Sequence, residues 1–287
     1  MQVGGFVWPF REWNDKSRDD IRAFWRRDDS MIAPMSERLS GSPVQFNHDN
    51  RPATSSVNFV AAHDGFTLWD TTAYNDKHND ANGEDGRDGH DNNISDNLGT
   101  EGPTDDPAIL EARKRRVKAM LATVALSQGV PMILAGDEFG QTQQGNNNAY
   151  CQDNDLTWLD WDNADDTLIA SATAALALRQ KLDGFIDTSF GNAELSDGKA
   201  IRWLHAEGRE MSEDDWHDGG LRIFAKRVVM SGGADVMLIL NAGDAAEFAL
   251  PEGDWAQQLD TSASDPAAQL TVSGTIEAPW QSVLVLT

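Results

Sequence analysis

Residues 57–68 read VNFVAAHDGFTL, and within this stretch an apolar run passes directly into charged residues. The apolar part, residues 57–62, predicts a short strand that is buried on both faces. The run ends at His63 and Asp64 without an intervening turn. Ligands bind at the carboxyl ends of parallel strands, because the loops that follow the strands converge there. Asp64 is therefore a candidate functional carboxylate. Alternatively, Asp64 caps the next element and His63 is a hydrogen-bonded core histidine.

A second apolar run, VPMILAG at residues 130–136, also ends on an acidic residue, Asp137. Residues 107–129 lie between the two runs and have their apolar side chains on one helical face, with Asp106 as a candidate N-cap. The order strand, helix, strand predicts that the two strands are parallel neighbours in one sheet. We therefore expect Asp64 and Asp137 on the same rim of that sheet.

Composition limits the classes of function. The 287 residues include 47 acidic and 23 basic side chains, a net charge of −24, and 40% of the residues are hydrophobic, which suffices for a packed core. The negative charge argues against nucleic acid and anionic membranes as partners. Cys151 is the only cysteine, so we expect a buried, inert thiol, no disulfide, no metal and no cofactor. Without a membrane-span-length apolar run or a signal-peptide pattern, the expected location is the cytoplasm.

Two long polar stretches follow the two predicted strands. Residues 75–103 contain many acidic residues, but a calcium loop that starts at Asp80 has Asp85 where the EF-hand pattern requires glycine. A coincidental cation site is one interpretation, and a solvated loop lining a polar substrate cleft is the one we favour. Residues 141–155 include three consecutive asparagines at 146–148. Their amides suit a neutral, hydroxyl-rich ligand, although asparagine also favours turns.

The start of the chain repeats the strand and helix pattern. A short strand is predicted near Glu12, and a helix with one apolar stripe over residues 15–27. Residues 28–54 lack periodicity and are predicted to be a long connection. Another helix is predicted over residues 165–182.

The character of the sequence changes near residue 187, which we predict to divide the chain into two domains, 1–186 and 187–287. Short alternating runs separated by Gly, Asp, Asn and Pro dominate the second part and predict an antiparallel β-domain. These runs are residues 200–205, 221–229, 236–240, 247–250, 270–276 and 283–286.

Several motifs resemble the bacterial glycogen-debranching enzymes of the isoamylase type, within the α-amylase superfamily of glycoside hydrolases. They are FVAAHDGFTL, the loop beginning NDKHNDANGEDGRDG, and VPMILAGDEFGQTQQGNNNAYCQDNDLTWLDW; QVGGF and EWNDKSRDDIRAFW near the start are similar to the same family. The resemblance covers residues 2–161. It implies an α/β plus β chain, in which about the last three units of a (β/α)₈ TIM barrel precede an antiparallel β-sandwich.

The resemblance also implies roles for individual residues. Asp64 matches the aspartate that stabilises the transition state, and His63 matches the histidine that contacts the sugar at the cleavage subsite. Asp137, Asn147 and Tyr150 match the segment that shapes the cleft, and are expected to bind substrate. In the family's order, the nucleophile and the acid/base lie upstream of QVGGF, so this chain is expected to be a C-terminal part of a debranching enzyme. Retaining hydrolysis needs both groups, about 5 Å apart.

The implied activity is hydrolysis of α-1,6 branch linkages in glycogen or limit dextrin by a retaining mechanism. The expected partners are branched α-glucan and an upstream fragment that supplies the rest of the barrel. One alternative is a fragment of an α-1,4-acting amylase. Another is a noncatalytic module that binds glucan or completes a partner chain. A third is a different carboxylate enzyme that uses Asp64 and Asp137.

Overall fold

The computed structural model describes residues 2–182, 190, 200–229 and 235–287. The predicted domain boundary between residues 186 and 187 lies outside the described residues. Within these ranges the helices are α1 (Asp15–Trp25), α2 (Ile32–Leu39), α3 (Pro43–Phe46), α4 (Pro107–Leu126), α5 (Asp166–Lys181) and α6 (Glu213–His217). The strands are β1 (Glu12–Trp13), β2 (Ser56–Asn58), β3 (Val130–Pro131), β4 (Ala200–Leu204), β5 (Ile223–Val229), β6 (Val236–Asn241), β7 (Ala246–Ala249), β8 (Trp255–Asp260), β9 (Leu270–Val272), β10 (Thr275–Ala278) and β11 (Ser282–Leu286).

A three-stranded parallel sheet carries the first part of the chain, in the order β1-β2-β3. Val57 pairs with Trp13 on one side and with Val130 on the other. Helix α4 connects β2 to β3, so the predicted crossover between parallel neighbours is confirmed. Strand β2 is shorter than predicted because the chain leaves the ladder after Asn58. The carbonyl of Val60 instead accepts a hydrogen bond from the Arg22 guanidinium, at 2.7 Å.

Helix α4 begins where the sequence predicts and ends at Leu126, before the glycine at residue 129 that was expected to follow it directly. The carboxylate of Asp106 accepts a hydrogen bond from the backbone N–H of Ala108 at 2.9 Å, and Pro107 occupies the first helical position, where no N–H is needed. The chain reverses at Gly129, whose φ is +116°. A Cβ at this position would lie 2.9 Å from the carbonyl oxygen of Ser56 on β2, so the tight return into the sheet requires glycine.

The prediction that residues 28–54 form an irregular connection is wrong, because they contain α2 and α3. Helix α2 buries Ile32, Met35 and Leu39. Their spacing of three and four residues is itself a helical signal, but it extends over only two turns. Pro34 lies in the first turn of α2, where a missing N–H is tolerated.

The antiparallel sheet has six strands in the order β4-β5-β6-β11-β8-β9, and β7 pairs with β10 in a separate ribbon. Because successive side chains of a strand point to opposite faces, β6 contributes to two cores. Val236 and Leu238 pack with residues of α1, α2, α4 and α5, whereas Met237 and Ile239 pack with the β7–β10 ribbon. Strand β8 and helix α6 were not predicted; β8 alternates, but Gln257 is one of its buried positions.

Candidate active site

His63 and Asp64 lie five and six residues beyond the carboxyl end of β2 and are open to solvent. Their side chains are 71% and 70% exposed, and His63 Nε2 lies 3.4 Å from a carboxylate oxygen of Asp64. The His63 ring meets the indole of Trp13 edge to face, with 5.7 Å between the ring centroids. Since Trp13 belongs to β1, the neighbouring strand supports the histidine from the side. This placement agrees with the expectation that Asp64 stands on the rim of the sheet.

Asp137 occupies the equivalent position after β3. Asn58 pairs with Pro131 in the parallel ladder, and Asp64 and Asp137 each follow six residues later. The Asp137 side chain is only 1% exposed, and one of its oxygens accepts a hydrogen bond from the Leu68 amide at 2.9 Å. Burial raises the pKa of Asp137 to about 7, although the Leu68 amide and the Arg22 cation oppose the rise. The carboxylate therefore faces inward, and its role in substrate binding stays a prediction.

Asn147 is 2% exposed and joins three separate segments. Its carboxamide donates to the carbonyl of His90 and to Asn93 Oδ1, both at 2.8 Å, and accepts from the Asn79 amide at 2.9 Å. Its backbone carbonyl accepts the Gly65 amide, also at 2.9 Å. Asn147 thus holds both the backbone beside Asp64 and the long loop of residues 75–103. Its direct contact with substrate stays a prediction.

Tyr150 differs from these buried groups because its side chain is 72% exposed. It lies on a short 3₁₀ turn, Ala149–Cys151, at the outer end of the asparagine run. An exposed phenol on a fixed turn offers an apolar face and a hydroxyl to a ligand. The neighbouring Cys151 is exposed, so the prediction of a buried thiol is wrong.

Arg22 is a site residue that the sequence did not single out. Its buried guanidinium donates to the carbonyls of Val60 and Asn93, at 2.7 and 2.9 Å. Desolvation lowers the pKa of Arg22 to about 10, so it remains a cation at neutral pH. It connects α1 to the strand end that precedes Asp64. A cavity of about 70 Å³ opens beside them, lined by Arg18, Asp19, Arg22, Asp64, Gly65, His90, Asn92 and Asn93.

Amide groups organise the acidic loop of residues 75–103. Asp88 accepts hydrogen bonds from the side-chain amides of Asn82 and Asn148, at 2.7 and 2.9 Å, and these contacts lower the pKa of Asp88. Asn82 and Asn146 also bond to each other, at 2.9 Å. Among the residues that the structure describes, no three His, Cys, Asp or Glu side chains converge as metal ligands. The two polar stretches therefore form one hydrogen-bonded wall beside Asp64.

The chemistry open to this site follows from an accessible carboxylate in the segment that follows β2. A fixed carboxylate stabilises positive charge that develops on a bound substrate, and it orients hydroxyl groups by accepting hydrogen bonds. Within the wall, the carboxamide of Asn147 and the phenol of Tyr150 are uncharged hydrogen-bonding groups, which suit a neutral polyol. No helix within the described ranges has the length and hydropathy to span a membrane.

Comparison with known proteins identifies relatives of this chain, although no family model matches it. The glycogen debranching enzyme of Serratia proteamaculans is 45% identical over 255 residues, which are 88% of this chain and 37% of that protein. The glycogen operon protein GlgX homologue of Mycobacterium tuberculosis is 43% identical over 99% of this chain and 43% of its own length.

Solved structures give the same fold. The pullulanase from Bacillus acidopullulyticus superposes with a TM-score of 0.68 over 96% of this chain and 30% of its own, at 19% identity. A mixed α/β part with a parallel sheet, followed by an antiparallel sheet, is therefore shared with it. The chain spans about two fifths of the length of the curated relatives described here. It belongs to the homologues of the bacterial glycogen debranching enzymes.

Proposed function

We propose that this chain serves the hydrolysis of α-1,6 branch linkages in glycogen or limit dextrin by a retaining mechanism. In this proposal Asp64 stabilises the transition state, and His63, Asp137, Asn147 and Tyr150 take part in substrate binding. The observation that carries the proposal is the accessible Asp64 carboxylate in the segment after β2, in a homologue of glycogen debranching enzymes. A pullulanase from Anoxybacillus with the same fold is named as a complex with maltotetraose, which supports an α-glucan as ligand.

The chemistry requires an oxocarbenium-like transition state, and a preorganised carboxylate lowers its free energy. Retaining hydrolysis also needs a nucleophile and an acid/base about 5 Å apart. Both groups then come from polypeptide outside residues 1–287. The parallel sheet then forms part of a (β/α)₈ barrel within residues 1–186, and residues 187–287 form a β-sandwich. We place the protein in the cytoplasm, where glycogen is stored.

A complementation assay tests the proposal. The chain is combined with the part of the Serratia proteamaculans enzyme that the match leaves uncovered, and new reducing ends are measured on a limit dextrin. We expect linear chains to be released, and we expect Asp64→Asn to lower the rate by about 10²–10³-fold. Asp244→Asn is the matched control, because its carboxylate is exposed and belongs to the antiparallel part.

Other results would contradict the proposal in distinguishable ways. Internal cleavage of unbranched amylose would favour the α-1,4-acting alternative. Binding of glycogen without activity in any combination would favour a noncatalytic module. Equal rates for Asp64→Asn and Asp244→Asn would remove Asp64 from the catalytic machinery.

A further inference from the structure

Asp70 is a fully buried carboxylate that the proposed chemistry does not use. One of its oxygens accepts the Thr142 hydroxyl at 2.5 Å. The other accepts two backbone N–H groups, from Gln143 at 2.8 Å and from Gly145 at 3.3 Å. Three donors from one loop, 72 to 75 residues away in sequence, therefore converge on a single side chain.

The loop held by Asp70 is packed closely on its other side. Gly145 has a φ of +77°, and a Cβ there would lie 2.7 Å from a ring carbon of Tyr74. The Gly145 carbonyl accepts the His78 amide at 2.7 Å. The backbone at Gly145 is thus held by hydrogen bonds to Asp70 and His78, and it packs closely against Tyr74.

Two residues further on, the same loop reaches the candidate active site. The carbonyl of Asn147 accepts the Gly65 amide at 2.9 Å, and Gly65 directly follows Asp64. The Asn147 amide in turn donates to Asn79 Oδ1 at 3.0 Å. Asp70 is therefore linked to the backbone beside Asp64 by its hydrogen bonds to residues 142, 143 and 145, by the chain from Gly145 to Asn147, and by the hydrogen bond between Asn147 and Gly65.

We propose that Asp70 is a positioning residue, which fixes the Gly65 backbone and the exposed Asp64 carboxylate through the loop of residues 142–147. The effect of Asp70 on substrate binding rests on the proposed function. The role requires hydrogen-bond acceptance toward two backbone amides, and it does not require a charge. Burial raises the pKa of Asp70 to about 6, because desolvation disfavours the charged form of the carboxyl group. A carboxamide would keep an oxygen for Gln143 and Gly145 and offer its NH₂ to the Thr142 oxygen.

The test uses this chain and measures backbone amide exchange by NMR. In Asp70→Ala the amides of Gln143 and Gly145 lose their acceptor, and we expect the Gly65 amide to exchange about tenfold faster. In Asp70→Asn we expect the Gly65 rate to stay close to that of the wild type. Asn241→Ala is the control for general destabilisation, because Asn241 is a buried side chain with several hydrogen bonds in the antiparallel part. It should leave the ratio of Gly65 exchange to core exchange unchanged.

Thr142→Val is the milder variant should Asp70→Ala not fold, since it removes only the hydroxyl contact; we expect about threefold faster exchange at Gly65. Unchanged Gly65 exchange in the folded Asp70→Ala variant, or equal rates in the Ala and Asn variants, would overturn the inference.

A maltotetraose titration separates the role of Asp70 from the proposed function. We expect Asp70→Ala to bind maltotetraose more weakly than the wild type, and Asp70→Asn to bind it about as well as the wild type. If the wild type does not bind maltotetraose, the proposed function loses support, while the exchange rates still decide the role of Asp70.

Discussion

The ammonium of Lys226 lies 3.0 Å from the side-chain oxygen of Gln128, and both residues are buried where the antiparallel sheet meets the helices. Lys226 belongs to β5, and its ammonium also donates to the carbonyl of Leu39 at the end of α2, at 3.2 Å. A side chain of the antiparallel sheet thus satisfies polar groups at the ends of two segments of the α/β part. Loss of this contact would remove one donor from each of two buried acceptors.

Lys226 predicts how stability depends on pH. Desolvation lowers the pKa of Lys226 to about 7, so between pH 7 and 10.5 the folded protein binds fewer protons than the unfolded chain. The free energy of unfolding should therefore rise with pH in this window, by up to about 1.4 kcal/mol per pH unit. Urea unfolding at a series of pH values measures this slope. Lys226→Met should remove it, whereas Lys181→Met, at an exposed helix end, should retain it. Equal slopes in the two variants would contradict the prediction.

Asn147 is expected to hold the loop of residues 75–103 in place. Asn147→Ala removes the contacts with Asn79, His90 and Asn93, and should lower the free energy of unfolding by about 2 kcal/mol. Limited trypsin digestion gives a local measurement, because Arg87 lies exposed in this loop. Cleavage after Arg87 should be faster in the variant. Asn92→Ala, an exposed neighbour in the same loop, should be cleaved like the wild type; faster cleavage there would mean that the loop responds to any substitution.

Loss of the N-cap of α4 should lower the free energy of unfolding by less than loss of the Asn147 contacts. Asp106→Ala removes the acceptor for the Ala108 amide and should destabilise the protein by about 1 kcal/mol, seen as a lower urea midpoint. Asp105→Ala removes the same charge one position earlier, outside the cap. If both variants lose equal stability, the effect arises from net charge and the cap contributes nothing.

Substitutions of Tyr150 test the outer part of the proposed glucan site. Tyr150→Ala should weaken binding of maltotetraose while leaving the urea midpoint unchanged, because the side chain is mostly exposed. Tyr150→Phe should retain most of the affinity if stacking of the ring on the sugar dominates. Calorimetric titration measures both variants. Leu270→Ala, another exposed apolar side chain but on β9, should bind like the wild type; a matching loss of affinity would show that the effect is not local to Tyr150.

The elements that the sequence predicted well are those whose signals are local. Helix α4 has a capping aspartate, a proline at its first position and a long buried face, and each of these acts within one or two turns. The parallel crossover followed from the order of its elements. Helix α2 was missed because it is two turns long, and strand β8 because a polar residue, Gln257, occupies one of its buried positions.

In the candidate active site too, local sequence signals predicted some features, and contacts between distant residues determined others. The position of Asp64 after β2 followed from an apolar run that ends in a carboxylate, because burial of residues 59–61 brings the chain to the surface only at the charged residues. The contrast between exposed Asp64 and buried Asp137 did not follow, since both residues occupy the same kind of position after a strand. Asp137 accepts the Leu68 amide in the interior, as Asp70 accepts the Thr142 hydroxyl and the Gln143 amide.

By itself, the sequence determined the parallel strand, helix, strand unit, the antiparallel second part and the carboxylate at the strand end. Periodicity, capping and chain order encode these features over short distances. Only the tertiary structure decided which polar side chains face solvent and which serve as internal acceptors. That choice depends on donors 69 to 75 residues away, which approach the carboxylates only after the loops have packed.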